Sequence, residues 1–134
     1  MLALDYGSAR CGVAVSDPTG VLATPLEPVL KPGGRKGMGR ILALVRELEA
    51  ERVLVGLPLS LSGGDSAQTR EVRDFAAVLE RRLDGVPVEL YDERFTTVLA
   101  QRDGEIQARS PRASEDSRAA AHLLSSWLDR HAAS

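Results

Sequence analysis

The sequence predicts an α/β fold: a five-stranded mixed sheet with antiparallel N-terminal hairpin strands, then parallel strands, and helices on both faces. Three observations carry this expectation. Two short apolar segments, 2–6 (LALDY) and 12–17 (GVAVSD), are joined by the tight connection Gly7-Ser8-Ala9-Arg10, which reads as a hairpin. From 21 to 91 the pattern alternates strand, helix, strand, helix, strand, which is the pattern of crossover units and parallel pairing. The 134 residues suit one domain, 1–134, and show no internal repeat or low-complexity tract.

The elements follow in order. The segment 21–30 is rich in Val, Leu and Pro; Pro25 and Pro28 place it at a sheet edge, because proline cannot donate to a ladder. Residues 31–37 (KPGGRKG) read as a flexible basic loop. Met38, Ile41, Leu42, Val45 and Leu48 then form one helical stripe over 38–50. VLVGLPL (53–59) is a continuous apolar run, as in a strand buried on both faces. After the loop SLSGGD (60–65), Asp65 or Ser66 caps a helix running to about 83, with Val72, Phe75, Ala76, Leu79 and Leu83 inward. Gly85 ends it, and Pro87 to Tyr91 is the next strand. Thr96 and Thr97 are placed to start a helix over 96–107. The polar, basic segment 108–114 (ARSPRAS) precedes a last helix over 115–130.

Composition limits the chemistry. Hydrophobic residues make up 43% and charged residues 27%, a globular balance. Cys11 is the only cysteine and His122 and His131 the only histidines, which excludes an intrachain disulfide and a Cys-rich zinc site. A metal here is expected to be hard and held by carboxylates, Mg²⁺ or Mn²⁺. The N-terminus lacks a basic start and Asp5 interrupts its apolar run, unlike a signal peptide. No stretch approaches the ~18 apolar residues of a membrane span, so a reduced, cytoplasmic setting is expected. A net charge of −2 and a pI of about 5.7 argue against a nonspecific nucleic-acid coat protein. They do not exclude a nuclease, whose clustered acids lower the net charge. With 4% aromatics no base-stacking platform is visible, which favours backbone and shape recognition.

Three acidic positions are singled out. Functional groups in α/β sheets gather at the carboxyl ends of strands. Asp5 ends the first strand, and Asp92-Glu93 ends the last. Asp116 shares a helical stripe with Ala119, Ala120, Leu123, Leu124 and Trp127, so it lies on the face that packs toward the sheet. Converging carboxylates repel one another, and a divalent cation reverses that penalty. Each acid has a plainer reading: Asp5 ahead of Gly7 as a turn former, Asp116 as a first-turn helix acid, one of Asp92 and Glu93 as a partner for Arg94. Strand alternation points Asp92 and Glu93 to opposite faces, and the sequence leaves open which one is the ligand. Asp17 ahead of Pro18 reads as a turn residue.

LALDYGSARCGVAVSDP (2–18), VGLPLSLSG (55–63), DERFTT (92–97) and EDSRAAAHLL (115–124) together resemble the four motif blocks of the YqgF/RuvX-like family. The match runs in order across nearly the whole chain, and its first and third blocks are the most specific. A lone DxG is shared with sugar kinases and actin-like ATPases, but those need two such domains around a nucleotide. The resemblance implies the RNase H-like fold of Holliday-junction resolvases and a metal-dependent nuclease. By position it implies Asp5, Glu93 and Asp116 as the catalytic acids and metal ligands, with Asp92 the alternative to Glu93. Gly7, Arg10, Arg94, Thr96 and Thr97 become candidate substrate contacts, each with an ordinary structural alternative: a turn glycine, solvated arginines, helix-capping threonines.

The implied substrate is structured RNA, with processing of the 5′ end of pre-16S rRNA in ribosome biogenesis and the small ribosomal subunit as partner. Alternatives are a Holliday-junction resolvase acting on branched DNA and a non-catalytic RNA-binding assembly factor. A two-fold junction calls for a homodimer and the RNA reading accepts a monomer. Phe95 stands where the family often has leucine, and 103–114 looks individual to this chain. Lys31, Arg35 and Lys36, and Arg109 and Arg112, are small basic clusters that suit a phosphate backbone or simply water. Gly63-Gly64 reads as a rim loop or a plain turn. His122 lies beside the apolar stripe, either structural or catalytic.

Overall fold

The computed structural model describes residues 1–132. Along them run β1 (Leu2–Asp5), β2 (Arg10–Ser16), β3 (Ala23–Leu30), α1 (Arg35–Glu47), β4 (Val53–Leu57), α2 (Ala67–Arg82), β5 (Val88–Asp92), a 3-10 turn (Glu93–Phe95), α3 (Ala100–Arg109) and α4 (Glu115–His131). The strands form one sheet in the order β3-β2-β1-β4-β5. β1–β2 and β2–β3 are antiparallel, and β1–β4 and β4–β5 parallel. The expected hairpin-led mixed sheet is present, with β3 at an edge.

Within 21–91 the parallel pairing is narrower than the alternation suggested. β3 does not pair with β4, and α1 carries the chain past β2 and β1 before β4 enters the sheet. The reason lies in the two strands. All five β4 residues are buried, so β4 needs partners on both edges, which β1 and β5 supply. β3 contains two prolines and serves best with one edge unpaired.

Strand alternation splits the core in two. Leu2, Leu4, Val13, Val53 and Val55 face α1 and α2, where they meet Ile41, Val72, Phe75 and Leu79. Ala3, Ala14 and Leu54 face α4 and α3, where they meet Ala120, Ala121, Leu124 and Ile106. Alanines on both partners let α4 lie close to β1 and β2. At its far end Trp127 donates its indole N–H to Glu89 at 2.7 Å, and Glu89 also receives Arg52 at 2.6 Å, which fastens α4 to β5.

Two helix starts, those of α1 and α3, differ from the sequence reading, and the α2 cap falls on one of its two expected residues. α1 begins at Arg35, inside the expected loop, because the Pro32-Gly33-Gly34 turn closes onto the Lys31 carbonyl and Gly37 leaves room for that carbonyl. α2 is capped by Ser66, whose hydroxyl accepts from Thr69 N in a reciprocal capping box. α3 begins at Ala100, and neither Thr96 nor Thr97 caps it. Thr96 N instead donates to Glu93 O at 3.0 Å, closing the 3-10 turn, and Thr97 N donates to Ser126 Oγ at 3.0 Å, tying the segment to α4.

Candidate active site

The site forms on the α4 side of the sheet, at the carboxyl end of β1. Asp5 shares the face of Ala3 by alternation. Its antiparallel partner is Gly12, and one further step in the β1–β4 register sets Gly56 on its other side. Asp5 thus has a glycine on each flank. Over Gly12 the first turn of α4 sits down so closely that a Cβ would collide with the Asp116 carbonyl oxygen and stand 2.9 Å from Ser117 N. Val13 N donates to Ser117 Oγ at 3.1 Å, and Ser117 N donates to the capping Ser114 Oγ at 3.1 Å. These contacts hold Asp116 near enough for its charge to raise the pKa of Asp5.

The other acid arrives from β5. Asp92 accepts from Arg94 N at 2.9 Å, which turns the chain out of the strand, and the Arg94 guanidinium clasps the same carboxylate at 2.6 to 3.0 Å. That clasp holds the Asp92 carboxyl below its usual range. Glu93 is thereby free to point the other way, and its carboxyl shares a hydrogen bond with Asp5. Arg94 is engaged with Asp92, and its NH1 reaches the Leu61 carbonyl at 3.5 Å. The Gly63-Gly64 loop is a closed turn, with Gly64 N donating to Ser60 Oγ at 3.0 Å.

Burial is the main reason that both carboxyls are harder to ionise than usual. It pushes Glu93 up to about 7, with the Asp5 charge adding to the effect. Asp5 is raised by burial and by Asp116, and eased by its hydrogen bond to Glu93. The pair therefore retains one proton well above the normal carboxylate range, with Glu93 as the donor. They line a cleft of about 280 Å³ with Thr96, Val98, Ala119 and Leu123. Thr96 Oγ1 is buried and without a hydrogen-bond partner.

Asp116 faces Arg10, with Nε 3.4 Å from Oδ2 and side chains 61% and 43% exposed, a pair too wet to hold firmly. Among the described residues no three His, Cys, Asp or Glu side chains form a ready-made cation cage. The structure unites two of the three expected acids and sets the third beside them. The donor set nonetheless suits a hard divalent cation: two half-buried carboxyls that share a proton, and a third acid one loose ion pair away.

Gly7, Asp17 and His122 make structural contacts in this arrangement. A Cβ on Gly7 would stand 2.7 Å from the Arg10 carbonyl, so Gly7 serves the tight β1–β2 turn. Asp17 Oδ1 accepts from Val21 N and Leu22 N, as a turn residue. His122 is 3% exposed and binds Asp103 at 2.8 Å, which ties α4 to α3. Sequence reasoning missed Gly12, Gly56 and Ser117. Gly56 carried a signal, since a glycine inside a continuous apolar strand marks a close approach.

The sheet order and the helices on its two faces define an RNase H-like fold. Two solved structures share the fold. Thermus thermophilus RuvC aligns at a TM-score of 0.56 and 18% identity, covering 97% of this chain and 96% of that one. T. thermophilus RuvC in complex with Holliday junction substrate aligns at 0.60 and 16%, covering 94% and 92%. The chain belongs to the RuvX family, described as Holliday junction resolvase, whose model matches residues 1–130. It is thus a member of a nuclease family, hydrolases that act on phosphodiester bonds. Curated relatives include proteins named "Putative pre-16S rRNA nuclease" from Mycolicibacterium paratuberculosis, 45% identical over 98% of this chain and 81% of the relative. Those of Mycobacterium tuberculosis and Mycobacterium leprae are each 44% identical, over 98% and 96% of this chain and 79% and 72% of the relatives.

Proposed function

We propose that this protein is a metal-dependent nuclease that processes the 5′ end of pre-16S rRNA, with Asp5, Glu93 and Asp116 holding Mg²⁺ or Mn²⁺. The observation that carries the reading is the proton-sharing Asp5–Glu93 pair on the floor of an open cleft, with Asp116 beside it. Glu93 rather than Asp92 is the ligand, because Asp92 is committed to Arg94. The RNA substrate follows the names of the 44–45% identical relatives.

A divalent cation would supply Lewis acidity toward a phosphate oxygen and a water of lowered pKa. The chain supplies the rest. Asp5, fixed on the central strand, sets the position of the site. Glu93 and Asp5 would hold the cation once their shared proton is lost to solvent, and Asp116 would join them on leaving Arg10. Arg10 is then released to pair with a backbone phosphate. Thr96 lines the cleft, and its buried, unpartnered hydroxyl would reach a phosphate oxygen on rotating outward. Arg94 holds the turn that presents Glu93, Gly7 serves the β1–β2 turn, and Thr97 ties the following segment to α4. No described helix is long and apolar enough to cross a membrane, and the reading places the activity in the cytoplasm, on the small ribosomal subunit or its precursor RNA.

A second reading, resolution of branched DNA, rests on the family description and the RuvC complex. It calls for a dimer, whereas the RNA reading is met by a monomer. The test pairs a labelled pre-16S rRNA fragment with a four-way DNA junction, each with Mn²⁺, Mg²⁺ or chelator, beside an Asp5→Asn variant. Metal-dependent RNA cleavage lost in the variant is the expected result. Cleavage of the junction alone would move the assignment to the resolvase. RNA binding without cleavage at any metal concentration would leave a non-catalytic assembly factor.

A further inference from the structure

Glu93 follows β5, which is not a neighbour of β1, since β4 lies between them. A carboxylate from the end of β5 must pass over β4 to meet Asp5, and it passes at Gly56. A Cβ at that position would stand 2.8 Å from Glu93 Oε1 and 3.2 Å from Glu93 Cγ, with Leu123 Cδ2 at 3.1 Å on the helix side. Glu93 therefore lies in a slot with Gly56 as its floor and Leu123 as its roof. Glycine weakens a strand interior, and Gly56 is buried within a run of apolar residues where a side chain would normally pack. Its presence there has a specific use.

We infer that Gly56 is a positioning residue: it is the opening in β4 through which Glu93 reaches Asp5. The inference deepens the proposed carboxylate site and rests on that reading. The two glycines that flank Asp5 differ in what an added methyl would strike. At Gly12 it strikes the backbone of α4, so a substitution there is a folding defect. At Gly56 it strikes the end of a flexible side chain, which swings away while the sheet stays intact. The same small change thus costs the fold at one flank and the acid pair at the other.

The test uses Gly56→Ala, Glu93→Gln and the double variant in the full chain. With chelator present, Gly56→Ala melts within a few degrees of the parent, and the ¹³C carboxyl resonance of Asp5 moves as it does in Glu93→Gln. Mn²⁺ affinity falls about tenfold or more, the scale for residues that orient ligands. The double variant binds Mn²⁺ no more weakly than Glu93→Gln alone. An unmoved Asp5 resonance with unchanged Mn²⁺ affinity overturns the inference. So does a loss of the same size in the Glu93→Gln background, which assigns the effect to packing against Leu123. If Gly56→Ala does not fold, Gly56→Ala/Leu123→Val gives the methyl room on the helix side. A persistent Mn²⁺ defect there supports the inference, and full recovery overturns it. If the parent itself binds no Mn²⁺, the metal-nuclease reading falls, and the Asp5 resonance alone decides the role of Gly56.

Discussion

At the residue scale, the site turns on which neighbour each acid keeps. Glu93 shares a proton with Asp5, and Asp92 is clasped by Arg94, so adjacent carboxyls have opposite protonation tendencies. Glu93→Gln is expected to lower metal-dependent cleavage at least about a hundredfold, whereas Asp92→Asn leaves Mn²⁺ affinity largely intact and loosens the 3-10 turn; parallel single-turnover assays and Mn²⁺ titrations separate the two. The raised carboxyls also set a pH dependence. Between the ordinary Glu value of 4.5 and about 7, the native state holds more protons than the unfolded chain. Stability of the metal-free protein therefore falls as pH rises through that window. Thermal unfolding with chelator from pH 4.5 to 8 should show the fall. Glu93→Gln should flatten it, and Mn²⁺ should oppose it at the alkaline end. The parity of Asp92 and Glu93 was not legible in the sequence, because a helical turn replaces the strand at that point and alternation no longer applies.

At the element scale, α4 contributes Asp116 by its first turn and holds the sheet by its alanines. Gly12→Ala drives a methyl into that turn and should cost at least about 1–3 kcal/mol, as overpacking does, read as a lower urea midpoint at unchanged slope. Ser117→Ala removes the bond from Val13 N and leaves a buried donor unpaired, a loss of about 1–3 kcal/mol by the same measurement. The strands, α2 and α4 were legible because their periodicity is unbroken and their caps are local. The starts of α1 and α3 were not, because distant partners decide them: Gly37 against the end of β3, and Thr97 against Ser126 of α4. The buried state of His122 was equally hidden, since Asp103 lies on a helix that the sequence cannot orient.

At the scale of the whole molecule, the net charge is −2 and several arginines are already spoken for. Arg52, Arg73, Arg94 and Arg102 each pair with a carboxylate. Binding of bare RNA by the inactive Asp5→Asn variant should therefore be weak, with a shallow salt dependence that reports only a few phosphate contacts. A steep slope in a filter-binding titration would show a basic surface that these pairs do not leave. The mixed character of the sheet could be anticipated from the hairpin and the crossover pattern, but the seat of β4 beside β1 could not, because it follows from which strand needs two partners.

The chain carries one tryptophan, Trp127, at the end of α4 remote from Asp116 and stacked on His131 with ring centroids 3.8 Å apart. That placement makes the protein its own optical gauge. Indole emission reports whether α4 is seated against β5, at a point about three helical turns from the acids and undisturbed by substitutions among them. A melt in which emission changes before circular dichroism would reveal α4 lifting off as a unit while the sheet persists.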